Sequence, residues 1–234
     1  MLPACHVLAP HTDIPRHRHV RPYAALVLEG GYEEAGEGGR FRVGAGDVLI
    51  HAAFSSHLDR DPGRRTVVLN LPLPPLWARR SARARTDAVD EVCRLAERDV
   101  TAAGALLCAQ LRPCGPGLAD LPDALAASLS AVDAPAIDAW AAAHGVARTT
   151  AWRWFKRVYA VGPARFRVEA RARLAWWRVI DGDEPLATIA AGAGFADQAH
   201  MTRDIRALTG RGPGEWRRDG PQRGLQHSFK TAGA

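Results

Sequence analysis

No run of 18 apolar residues occurs in this 234-residue chain, and no basic N-terminal segment leads into an apolar run with a cleavage site. Those gaps argue against a membrane span and a secretory leader, and the expectation is a cytoplasmic protein with no membrane partner. Cysteine is scarce. Cys5, Cys93, Cys108 and Cys114 include no C-x-x-C pair, which removes the zinc-ribbon and dithiol redox readings and leaves four reduced, small apolar residues. No G-x-G-x-x-G loop, Walker sequence or G-x-S-x-G elbow stands in a suitable setting. The Gly-rich stretch GGYEEAGEGG at 30–39 carries acids that repel phosphate, so it reads as a hairpin.

The formal net charge is +6. From Arg148 to Arg178, nine Arg or Lys residues stand against one acid, Glu169. Such a bias attracts an acidic partner, and the phosphate backbone of double-stranded DNA is the obvious one.

The segment from Pro185 to Arg218 reads as a helix, a turn at Gly194 and a second helix capped by Asp197. Met201, Ile205 and Leu208 fall on one face of that helix, leaving Gln198, His200 and Arg203 on the other sides. A related pattern lies 50 residues upstream: Ala151 with Met201, Arg153 with Arg203, Phe155 with Ile205, Lys156 with Arg206, Pro163 with Pro213, Phe166 with Trp216. Gly145 and Gly194 are offset by 49, so one turn differs by a residue. An imperfect duplication of a helix-turn-helix is the simplest account. Two such readers suit successive major-groove turns, about 34 Å apart.

The text IAAGAGFADQAHMTRDIRALTGRGPGEWRR at 189–218 resembles the second half of the AraC/XylS double helix-turn-helix domain, with Gly194, Phe195, His200, Arg203, Gly210, Pro213 and Trp216 in register. AAAHGVARTTAWRWFKRVYAVGPARFR at 141–167 resembles the first half through Arg153, Phe155, Lys156, Gly162, Pro163 and Phe166. Ala147 stands where that family often has a serine cap, and Trp152 beside Trp154 is unusual for it. The resemblance implies base-edge contacts from Thr149, Trp152 and Arg153 in one reader and from Gln198, Ala199, His200 and Arg203 in the other, with Thr202 nearby on the phosphates. A guanidinium can bond guanine O6 and N7 together, and a Gln amide can address adenine. Lys156, Arg157, Arg165 and Arg206 suit phosphate contact. The implied partners are double-stranded DNA and the transcription machinery.

Upstream, Pro15 and Pro22 exclude helix, and YAALVLEGGYEEA, RFRV at 40–43, DVLIH at 47–51 and RTVVLNL at 65–71 read as short strands separated by turns. A small sandwich or barrel follows. HRH at 17–19, VLEGGYEEAG at 27–36, the VGAGDVLI turn and His57 resemble a cupin-type sensor domain, which implies a small β-barrel and a transition-metal site such as zinc. His17, His19 and His57 match three ligands of that family's metal site. Tyr23 stands where its glutamate is expected, and His51 is a candidate substitute ligand. Two histidines one residue apart share a face of a strand, so both can meet a third on a neighbouring strand. The alternative is that these histidines face solvent or line a metal-free pocket.

Pro72, Pro74 and Pro75 end the strands, and 76–112 reads as helical, with Val89, Val92, Leu95 and Ala96 on one face and Gly104 weakening a second helix over 102–111. That face serves core packing, with a homodimer seam as a candidate. RPCGPGLADLPD at 112–123 reads as a hinge. The division expected is a cupin-like sensor domain over 1–75, connecting helices and hinge over 76–129, an all-α double helix-turn-helix domain over 130–219 and a flexible tail over 220–234. The function implied is a sequence-specific DNA-binding regulator, non-enzymatic and controlled by a small-molecule effector or a metal in its N-terminal half. The alternatives are a metal-dependent cupin enzyme carrying a DNA-binding appendage, and a protein-interaction module with degenerate readers.

Overall fold

The computed structural model describes residues 5–60, 63–74, 77, 79–115, 117 and 119–221. The tail expected from 220 onward lies outside the described residues beyond 221. The chain divides between Ala119 and Asp120 into two compact units.

Among its described residues the first unit holds ten strands: β1 Cys5–Leu8, β2 Ile14–Arg18, β3 Tyr23–Glu29, β4 Gly31–Gly36, β5 Gly39–Gly44, β6 Asp47–His51, β7 Ser56–Arg60, β8 Thr66–Pro72, β9 Ala82–Arg85 and β10 Arg112–Pro113. They form a six-stranded sheet in the order β1-β8-β3-β6-β9-β10 and a four-stranded sheet in the order β2-β7-β4-β5. The small β-barrel expected from the sequence is therefore not formed. Among the described residues no ladder joins the two sheets; each keeps two edges, and they stack as a sandwich. The reason lies in what each face buries. Ala25, Val27, Leu49 and Val68 pack between the sheets with Tyr32, Phe41 and Val43. The opposite face of the larger sheet, carrying Ala24, Leu26, Val48, Ile50, Leu69 and Leu71, is covered by α1 (Val89–Ala96) and α2 (Val100–Ala109) through Val92, Ala96, Ala103 and Leu107. A sheet apolar on both faces is satisfied by three stacked layers without having to close on itself. The same two-sided burial explains the unbroken apolar run AALV in β3.

Helix was expected from residue 76, yet Ala82–Arg85 is a strand paired with β6, and helix begins only at Val89. The arginines decide it. Arg83 Nη2 lies 3.1 Å and Arg85 Nε 3.7 Å from Oδ1 of the buried Asp47, which strand pairing with β6 makes reachable.

Among the described residues the second unit is helical: α3 Leu121–Leu129, α4 Ile137–Ala143, α5 Arg148–Tyr159, α6 Pro163–Asp181, α7 Leu186–Gly192 and α8 Gln198–Thr209, followed by a helical stretch over 213–221. α3 opens with a capping box between Asp120 and Asp123 and is tied to α5 by Tyr159, whose hydroxyl donates to Asp123 Oδ1 at 2.8 Å. Among the described residues no helix is long and apolar enough to cross a membrane.

Candidate functional site

Strand register assembles a polar cavity inside the first unit. His17 on β2 faces His57 on β7, and Glu34 on β4 faces Asp59 on β7; Tyr23 on β3 faces His51 on β6 in the other sheet. Because side chains two apart share a face, His57 and Asp59 both point between the sheets, as do Tyr32 and Glu34. Gly36 makes room for this. A Cβ there would lie 2.9 Å from the Cβ of His57, so only glycine lets β4 pass so close to β7 at that point. The cavity, about 180 Å³, is lined by His17, His19, Tyr23, Glu34, His57 and Asp59 among others.

The donor atoms of His17, His19 and His57 lie within 4.8 Å of one another, so the three expected ligands converge. Those of Glu34, His51 and His57 do so as well. The sequence pattern places the expected glutamate near Tyr23 and does not single out Glu34. The alternation of β4, which buries Tyr32 and Glu34 together, is the signal that points to it. Tyr23 stacks on His51 with ring centroids 4.3 Å apart, and its hydroxyl sits 3.2 Å from His19 Nε2 and 3.4 Å from His57 Nε2. His17 Nδ1 is 2.9 Å from the Pro15 carbonyl oxygen, which fixes its ring.

Burial governs the charges. Desolvation and the neighbouring imidazoles hold His51 and His57 well below the usual histidine range, and His19 is pushed down to about 4, by burial first and His17 second. Glu34 is raised well above the carboxylate range by burial and by Asp59, and Asp59 is raised to about 7 by burial. Both ring nitrogens of His51, Nδ1 of His57, Oε2 of Glu34 and Oδ1 of Asp59 are buried without a hydrogen-bond partner. A buried orphan of this kind costs about 1–3 kcal/mol. Imidazole nitrogens with a carboxylate are also the donors that zinc and its neighbours prefer, so these residues fit a transition ion.

The second unit repeats one device twice. α4 and α7 are each seven residues long and offset by 49; α5 and α8 are each twelve and offset by 50. The turns between them match bond for bond: Val146 N–H donates to Ala141 O at 3.0 Å and Phe195 N–H to Ala190 O at 2.9 Å, each behind a glycine with positive φ, Gly145 and Gly194. On α5, Ala151, Phe155 and Val158 are buried, while Thr149, Trp152, Arg153, Lys156 and Arg157 are exposed. On α8, Met201, Ile205 and Leu208 are buried, while Gln198, Ala199, Arg203 and Arg206 are exposed. Thr202 and His200 are half-buried. Lys156 lies 5.1 Å from the Trp152 ring centre, Arg165 bonds Glu169 at 2.8 Å, and Arg206 lies 3.7 Å from Glu215.

His200 is drawn inward. Its Nε2 lies 3.3 Å from Arg171 and 3.5 Å from Asp204. Arg171, on α6, also donates to Gly194 O at 3.0 Å and to Asp204 at 3.3 Å, and covers the Phe195 ring at 4.1 Å. In the sequence nothing separates Arg171 from the other arginines of the basic segment.

Residues 140–219 match a helix-turn-helix domain family. Among curated proteins nothing matches. An AraC-type DNA-binding-domain transcriptional regulator from Chromobacterium violaceum is 22% identical, with 39% of this chain and 82% of that chain covered and a TM-score of 0.37. Fatty-acid-bound ToxT from Vibrio cholerae is 10% identical over 91% of this chain and 93% of its own, with a TM-score of 0.40. A salicylate 1,2-dioxygenase from Pseudaminobacter salicylatoxidans is 22% identical with a TM-score of 0.27; 28% of this chain is covered, and the chain spans only 20% of that enzyme. On the family match and the two matching helix pairs, residues 140–219 are a helix-turn-helix domain, the fold by which transcription regulators place a helix in the DNA major groove.

Proposed function

We propose that the chain is an AraC/XylS-type transcription regulator that reads double-stranded DNA with α5 and α8 and carries an effector or metal site in its first unit. The observation that carries this reading is the repeated display: Arg153 and Arg203 occupy the same turn of two equal helices, both exposed, each opposite a buried apolar row. Arg153, Arg203 and Gln198 are assigned to base edges, with Thr149, Trp152 and Ala199 beside them. Lys156, Arg157, Arg165, Thr202 and Arg206 go to phosphates. His200 serves by position, through Arg171 and Asp204, more than by reaching a base.

A cavity of about 180 Å³ is smaller than the roughly 300 Å³ at which drug-sized ligand pockets begin, so its occupant is an ion or a solute of a few atoms. Binding there changes DNA affinity only as far as the occupant prefers one state of the protein over another. The enzyme alternative draws on the same converging histidines and requires substrate turnover.

The test is selection of genomic fragments by the purified protein, then titration of the best fragment against Arg153→Ala and Arg203→Ala at two salt concentrations. Each substitution is expected to relax base choice at its own half-site, with roughly 1–3 kcal/mol of discrimination lost. Binding that is weak, sequence-indifferent and unchanged by either substitution overturns the reading.

A further inference from the structure

We infer that Glu34, His51 and His57 form an inner seat for one divalent transition-metal ion, in preference to the overlapping His17, His19 and His57 set that the sequence singles out. The two sets share His57 and differ in what their donor atoms already do. In the outer set, the Tyr23 hydroxyl lies between Nε2 of His19 and Nε2 of His57, at 3.2 and 3.4 Å, and occupies two of the three donors, while His17 Nδ1 rests on the Pro15 carbonyl and leaves Nε2 of that ring open. In the inner set Glu34 shares a side-chain hydrogen bond with Asp59, while four donor atoms stand open. Both nitrogens of His51, Nδ1 of His57 and Oε2 of Glu34 have no hydrogen-bond partner, although His51, His57 and Glu34 are only 1%, 3% and 4% exposed.

Charge points the same way. An ion held by three neutral imidazoles keeps its full double charge in a desolvated cavity, whereas Glu34 brings a compensating oxygen. His51 Nε2 and Glu34 Oε2 stand 3.5 Å apart, a separation that two ligands of one ion can have with the ion between them, and all three donors lie within 4.8 Å. Two nitrogens and one carboxylate oxygen suit zinc, iron(II) or manganese(II), with a coordination position left for water or a small anion. The three ligands come from β4, β6 and β7, so the seat spans both sheets. Asp59, which faces Glu34 across β4 and β7, is the acceptor available to orient the ligands. The inference deepens the proposed sensing role of this cavity, and it stands or falls separately from DNA binding, which is measured on the metal-free chain in the same preparations.

The experiment titrates the full chain with zinc against a chromophoric chelator, for the wild type and for Glu34→Gln, His51→Asn and His17→Gln. One equivalent is expected, with affinity falling tenfold or more in the first two variants and within about twofold of wild type in the third. Nitrogen-15 NMR of the wild-type zinc complex is expected to place coordination shifts on the His51 and His57 rings and none on His17 or His19, a readout that does not depend on any variant folding. The inference is overturned by coordination shifts on His17 and His19, by loss of the ion in His17→Gln with retention in Glu34→Gln, or by no zinc uptake at all.

Discussion

Ala160 and Gly210 hold the same left-handed position, 50 residues apart, at the ends of α5 and α8: φ is 54° at Ala160 and 78° at Gly210. Glycine adopts that region without penalty, while an L side chain there costs roughly 1–2 kcal/mol. Ala160 is exposed, so its methyl adds little packing in return. Ala160→Gly is expected to stabilise the second unit by about 0.5–1 kcal/mol after the extra entropy of an unfolded glycine is deducted. Tryptophan fluorescence during urea unfolding is the measurement, since six of the seven tryptophans lie in that unit and only Trp77 lies outside it. Unchanged or lower stability contradicts it.

The two helices differ in the opposite sense at their starts. Asp197 caps α8 by accepting from the His200 amide at 2.6 Å, whereas Ala147 offers α5 nothing, despite an extended backbone that suits a cap. Asp197→Ala is expected to cost about 1 kcal/mol, and Ala147→Ser to gain a similar amount. Amide hydrogen exchange in the first turn of each helix checks both: protection falls in α8 for the first variant and rises in α5 for the second.

The difference between the two units in how legible they are has a physical cause. Helix periodicity, caps and paired glycines are local, so the 50-residue offset read from Arg153 and Arg203 reappears as two helices of equal length with matching buried rows. The sandwich depends on which strands share a sheet, and that is a long-range matter. β3 and β4 are consecutive, with only Gly30 between them, yet they belong to different sheets. A run such as YAALVLEGGYEEA does not record that corner. His17, His19 and His57 were legible because spacing and register agree. Glu34 was not, because its role follows from the pairing of β4 with β7. Arg83 and Arg85 were read as helix because nothing local announces the buried Asp47 across the sheet.

Arg171 joins the turn between α7 and α8 to the long helix α6 through Gly194, Phe195, His200 and Asp204. Its removal leaves Asp204 without that guanidinium and frees the start of α8. If α8 reads bases as proposed, Arg171→Ala is expected to lose about tenfold of the base discrimination in the α8 half-site and to leave the α5 half-site as it was. Arg171→Lys restores charge but not the forked geometry, so it rescues little. Binding selections on operators mutated one half at a time separate this from a uniform loss of affinity. A uniform loss makes Arg171 a phosphate contact instead.

Gly104 sets two rules against each other. In mid-helix α2 its replacement by alanine should gain about 1 kcal/mol from helix propensity alone. A Cβ at that position, however, would stand 2.3 Å from the carbonyl oxygen of Pro72, a backbone atom that cannot swing aside. Overpacking of this kind costs about 1–3 kcal/mol, so contact outweighs propensity and Gly104→Ala is expected to lower the stability of the first unit. Gly214 supplies the control. It lies in the helical stretch over 213–221, and a Cβ there would meet only the far end of Arg218 at 3.9 Å, so Gly214→Ala should stabilise by up to about 1 kcal/mol. Calorimetry of both variants, resolving the transition of each unit, should show shifts of opposite sign. Two shifts of the same sign imply that α2 does not press on the end of β8, and with it would go the reason for a glycine at the centre of that helix.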